Sequence, residues 1–66
     1  MKIGEKIKEL RIEKGISQMQ LAKLIGVSQK AIDYWERGVN EPKVSYVIEI
    51  VKFFNLSFDE FFSDVE

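Results

Sequence analysis

The 66-residue sequence predicts an all-α fold of five short helices, and three observations carry that expectation. Apolar residues recur at intervals of three and four rather than two, the period of one helix face. Serine opens three segments and is twice followed three residues later by Gln or Glu, as Ser17 with Gln20 and Ser57 with Glu60. That spacing is a capping box, in which each side chain satisfies a backbone N–H left unpaired at a helix start. Glycine or proline then closes the segments, at Gly15, Gly26, Gly38 and Pro42.

Taken in order, Ile3, Ile7 and Leu10 mark a first helix over residues 3–14, with Gly15 as its stop. Ser17 caps a second helix of barely two turns running through Leu21, Ala22, Leu24 and Ile25 to Gly26. Ser28 caps a third, which carries Ile32 and Trp35 and ends before Gly38. Residues 39–42 form a loop, because Pro42 pushes its predecessor out of helical geometry. Val44, Val47, Ile50, Val51 and Phe54 form the expected buried stripe of a fourth helix over 44–54. Their β-branched character suits a strand, but their spacing does not. The Ser57–Glu60 box precedes a fifth helix, expected over 58–65.

This length sets one domain, residues 1–66, with a thin stability margin, since a small chain buries a smaller share of its surface. A composition 45% hydrophobic and 32% charged fits a packed globule. The sequence has neither Cys nor His, which removes disulfides, the commonest metal ligands and the usual general base near neutral pH. Glu5 and Glu9 sit at i,i+4 spacing among lysines, as on a solvated helix face. No Gly-rich phosphate loop is present, so neither an enzyme nor a cofactor is expected. With no apolar run of membrane length or leader-like N-terminus, a cytoplasmic protein is expected. The net charge of −1 conceals a polarity: residues 1–43 balance to +3 and residues 44–66 to −4. An acidic end turned away from a phosphate backbone is compatible with binding nucleic acid.

Two short helices joined by a tight turn containing glycine make a helix-turn-helix, here about residues 17–37, whose second helix can enter the major groove. Leu21, Ile25, Val27, Ile32 and Trp35 occupy the inward positions, and Ala22 is small where one helix must approach another. Leu10-Arg11, Ser17-Gln18, Leu21-Ala22, Gly26-Val27-Ser28, Ile32, Trp35-Glu36-Arg37-Gly38, Pro42 and the run Asn55-Leu56-Ser57-Phe58-Asp59-Glu60 together resemble the Cro and repressor (Xre) helix-turn-helix family from Ile3 to Phe62. The resemblance implies a compact five-helix fold of the phage-repressor type. It also implies a sequence-specific, double-stranded DNA-binding transcriptional regulator, expected to act as a repressor.

With Ile32 and Trp35 inward, the third helix presents Ser28, Gln29, Lys30, Asp33, Tyr34 and Arg37. Gln pairs with adenine, Lys with guanine acceptors, and Asp accepts from cytosine while repelling phosphate. Gln29, Lys30 and Tyr34 match positions at which the family touches bases; the alternative is a merely solvated helix face. Gln18 matches a family phosphate contact, or is simply polar at a helix start. Capping alone accounts for Ser17, and competes with DNA contact at Ser28. Arg37, Asn40 and Lys43 lie where backbone contacts are expected, with an ordinary surface lysine the alternative at Lys43. The Tyr34 phenol has three open roles: stacking, bonding phosphate, or lying along the protein. By resemblance, Arg11 and Glu36 form an ion pair that positions the third helix.

All five phenylalanines fall within residues 53–62, more aromatic surface than one short helix needs for docking. A homodimer through Leu56, Phe58, Phe61, Phe62 and Val65 is therefore expected, reading a palindromic operator with half-sites about 34 Å apart. Closure of the core is the competing role, and the favoured one for Phe54, Phe58 and Phe61. The rival reading is a protein-interaction module, an antitoxin or adaptor, built on the same fold. No effector-sensing segment is evident, so control by concentration, a partner protein or competing operators is expected.

Overall fold

The computed structural model describes residues 1–66 as five helices and no strands: α1 (Ile3–Lys14), α2 (Gln18–Ile25), α3 (Gln29–Arg37), α4 (Val44–Phe53) and α5 (Phe58–Phe62). The starts of α2 and α5 form as their capping boxes require. Gln20 N–H donates to Ser17 Oγ at 3.0 Å and Ser17 N–H to Gln20 Oε1 at 2.7 Å. The Ser57–Glu60 pair repeats this at 3.0 and 2.8 Å. Ser28 Oγ accepts from Ala31 N–H at 3.1 Å and starts α3. Between α2 and α3 the backbone reverses through Gly26 at φ +86°, a conformation that costs an L-residue its Cβ clearance. Past α4 the same role falls to Asn55 at φ 57°, one of the few non-glycine residues that tolerates it.

α3 packs against both α1 and α2, and α4 closes the other side of α2. Ile7, Leu21, Ile32, Ile50 and Phe61 are fully buried at the centre. Each such side chain contributes about 1.5–3 kcal/mol of transfer free energy. Only 12 of 66 residues are buried, so every one of these contributions is a large fraction of the net stability.

The close approach of α1 to α3 depends on Gly4. A Cβ placed there would lie 1.7 Å from the Trp35 carbonyl oxygen and 3.2 Å from Glu36 Cα, both backbone atoms that cannot swing aside. This glycine is therefore a spacer that brings the first turn of α1 onto the last turn of α3.

The structure corrects the C-terminal expectations. α5 ends at Phe62 rather than residue 65. Ser63 Oγ donates to Glu60 O, and Asp64 turns back to Lys6, whose Nζ lies 3.2 Å from Asp64 Oδ1. Phe61 is fully buried, which removes it from any interface, whereas Phe58 is 49% exposed and does not close the core. Val44 belongs to the α4 stripe by spacing but is 73% exposed, so the packed stripe of α4 begins at Val47. Phe54 caps α4 and is half-buried, as are Leu56 and Val65.

The carboxyl of Glu60 sits below its ordinary pKa because the Ser57 backbone N–H and hydroxyl stabilise the charged form. A depressed folded-state pKa contributes stability above the unfolded value of about 4.3 and loses it as pH falls through the folded value. Thermal unfolding as a function of pH should therefore show Glu60→Gln, which keeps the capping acceptor but does not titrate, losing less stability than wild type below about pH 4.3. Parallel acid profiles would remove Glu60 from the acid response.

Candidate nucleic-acid interface

The face of α3 opposite Ile32 and Trp35 is a polar row fixed by helical spacing. Ser28, Gln29, Lys30 and Arg37 are exposed, and Asp33 and Tyr34 half-buried. Lys30, Tyr34 and Arg37 follow one another at i, i+4 and i+7, so the phenol ring lies between two cations. Lys30 Nζ is 5.5 Å and Arg37 Cζ 5.4 Å from its centroid, within cation–π range. Of the three roles open for Tyr34, this is lying along the protein surface, with its ring holding two long basic side chains. Asn40 and Lys43 are exposed on the segment leading into α4.

Behind this row lies a charged layer joining three helices. Arg11 of α1 donates from Nε to Glu36 Oε2 at 2.7 Å and from Nη2 to Glu36 Oε1 at 3.0 Å, a bidentate pair with side chains 13% and 2% exposed. A third donor, Nη1, reaches the Ile16 carbonyl at 2.9 Å and ties down the segment before α2. The bonds to Glu36 hold the guanidinium pKa above its ordinary value, against the opposing effect of burial. A raised cation pKa contributes stability at every pH below the unfolded value, so the charge on Arg11 does not vary with pH in any working range.

Gln18 belongs to the same layer, and this connection is absent from the sequence reading. Its Nε2 donates to Glu36 Oε1 at 3.1 Å and to Asp33 Oδ1 at 3.3 Å. Asp33 Oδ2 in turn accepts from Arg37 Nε at 2.9 Å. Both Asp33 oxygens are thus engaged within the protein, unlike the free acceptor expected for reading cytosine. The donor groups of Gln18 face inward, away from the phosphate contact expected of them. Gly4 was the other omission; a glycine inside a helical pattern is its one sequence signal.

The sequence pattern described as helix-turn-helix matches residues 7–61 of the chain. The chain is 39% identical over 66 residues, its whole length, to the HTH-type transcriptional activator BcrR of Enterococcus faecalis, covering 32% of that protein. It is 34% identical over 63 residues, 96% of its length, to the cryptic phage CTXphi transcriptional repressor RstR of Vibrio cholerae, covering 57% of that protein. The first curated relatives it matches are two to three times its length, so the chain corresponds to about a third to a half of each. Among solved structures it is similar to the P22 c2 repressor in complex with a synthetic operator. There the TM-score is 0.83 at 34% identity, with 92% of each chain covered. The fold is accordingly that of the phage-repressor domains, and with α2 and α3 set at the Gly26 turn the chain belongs to the helix-turn-helix family.

Proposed function

We propose that this chain is a sequence-specific double-stranded DNA-binding domain of a transcriptional regulator, acting as a repressor by inserting α3 into the major groove of an operator. The observation that carries this reading is the outward row of exposed Gln29, Lys30 and Arg37 around half-buried Tyr34, on a helix whose opposite face is locked into the core by Ile32 and Trp35. A recognition helix needs that combination: a rigid back and a front of long donors and acceptors. Ser28, Asn40 and Lys43 supply backbone contacts at the two ends of the row. The resemblance to a repressor solved with its operator supports the same docking.

Gln29→Ala with Lys30→Ala should lower the melting temperature by only a few degrees, through loss of the Lys30–Tyr34 cation–π contact, since both side chains are exposed and neither caps a helix. Losing two base contacts should lower discrimination between operator and scrambled DNA about 10²-fold, at about 1–3 kcal/mol per contact. Titration of both duplexes at fixed salt reads this ratio directly. An unchanged ratio would reduce the row to a solvated face.

The active species is a homodimer on a palindromic site, joined through Phe58 and Phe62. Their rings stack at 6.4 Å between centroids and remain 49% and 37% exposed, an apolar pair uncovered on the surface of α5. Leu56 and Val65, both half-buried, border it. Phe58→Ser with Phe62→Ser should convert dimers to monomers in sedimentation. A wild-type protein that stays monomeric both free and on a two-half-site duplex would contradict this assembly.

A further inference from the structure

We infer that Asp33 is a positioning residue that holds two phosphate-capable donors, the Gln18 amide and the Arg37 guanidinium, and thereby restrains the DNA affinity of the domain. The inference rests on the DNA-binding reading above, but its first evidence concerns the free protein. A carboxylate can only accept hydrogen bonds, so an amide lying between Asp33 and Glu36 must turn its nitrogen toward them. The structure has that arrangement, with Gln18 Nε2 bonded to both carboxylates. The two amide protons are thus committed, and the Gln18 oxygen has no partner within the protein. Since no buried polar side-chain atom is left unpaired, that oxygen faces solvent.

An outward oxygen is the wrong polarity for a phosphate, which also offers only acceptors. For Gln18 to donate to the DNA backbone, its amide must leave at least one carboxylate and rotate. Arg37 is held by the same residue, from the other side: its Nε is on Asp33 Oδ2 while its guanidinium lies beside the Tyr34 ring. Asp33 therefore competes directly with phosphate for the Gln18 amide, whose two protons are both engaged, and it holds Arg37 by Nε, which fixes the direction from which the free Nη groups can reach a phosphate. Glu36 is buried and shared with Arg11, so it stays in place, whereas Asp33 is half-exposed at the surface of α3 and is the member whose charge can be removed without unfolding the layer.

Asp33→Asn keeps the shape, removes the charge and leaves one acceptor oxygen for two donors, so at least one of them is released. The expected result is about tenfold tighter binding to scrambled duplex at fixed salt, the scale of one charge-assisted hydrogen bond released to a phosphate. That gain should disappear in a Gln18→Leu/Arg37→Met background. Glu41→Gln is the charge control: it removes an equal charge from an exposed position outside the layer, and its smaller gain should persist in that background. In the DNA-free protein, the Gln18 side-chain amide protons and Arg37 Nε–H should exchange slowly with solvent in wild type and faster in Asp33→Asn, read by 15N NMR. Equal exchange in the two proteins overturns the inference whatever the DNA results. So does an Asp33→Asn gain that survives loss of both donors, which is a charge effect alone. Weaker binding confined to duplexes with cytosine at one position also overturns it, because Asp33 would then read that base directly. Failure of wild type to prefer any duplex would instead count against the functional reading, while slowed exchange would still support the restraint.

Discussion

Gly4→Ala is expected to lower the melting temperature by about 8 °C or more. Two effects of opposite sign compete at this position. Glycine is a poor helix former, so alanine in an unobstructed helix stabilises by up to about 1 kcal/mol. Against this, the new methyl would meet the Trp35 carbonyl oxygen at 1.7 Å, and relief requires moving α1 away from the end of α3. Overpacking costs about 1–3 kcal/mol where side chains can adjust, and a contact with backbone belongs at or above the top of that range. For a domain of this size each kcal/mol lowers the midpoint by about 4–8 °C. The clash therefore wins. A raised melting temperature would show instead that α1 has freedom to shift. Because the last turn of α3 carries Glu36 and Arg37, operator affinity should fall together with stability.

The second large effect is expected at Arg11. Arg11→Ala removes three hydrogen bonds and leaves Glu36, with a side chain only 2% exposed, without its cation. An uncompensated buried charge costs about 3–5 kcal/mol, comparable with the whole margin of so small a domain. Arg11→Lys should recover only part of this, because an ammonium can supply neither the bidentate fork to Glu36 nor the simultaneous bond to the Ile16 carbonyl. Replacing both partners by Met and Leu should restore most of the stability, since a buried pair contributes little beyond an apolar pair of similar volume. DNA affinity should not recover equally, as the doubly substituted protein lacks the bidentate bonds that fix the end of α3 to α1. Denaturant unfolding of the four proteins checks the order wild type, double variant, lysine, alanine. An alanine variant as stable as wild type would mean that the Glu36 charge finds water.

The sequence made legible whatever is decided locally. Ser17, Ser28 and Ser57 mark three helix starts because capping is a contact between residues three apart. Gly26 marks the turn because so few residues accept its backbone angles. Ile32 and Trp35 point inward because helical spacing separates them from Gln29, Lys30 and Tyr34. Contacts between distant segments were not legible from local pattern, and the Arg11–Glu36 pair was expected from the family resemblance alone. Phe58, Phe61 and Phe62 share one helix face at i, i+3 and i+4, so periodicity cannot say that Phe61 alone is buried; only its packing against the assembled core does. Gly4 reads as an ordinary surface glycine until the backbone of Trp35 is placed over it. The orientation of the Gln18 amide depends on carboxylates 15 and 18 residues away, a relation no local pattern encodes.

Selection of bound duplexes from a random DNA pool, followed by titration of the enriched sequence and its scramble at physiological salt, decides whether α3 reads DNA sequence. A palindromic motif with half-sites about one helical turn apart, bound about 10³-fold or more tighter than the scramble, is the predicted result. No enriched motif, with only weak binding that salt abolishes equally for every duplex, would contradict it and leave the exposed row on α3 without a role in reading DNA.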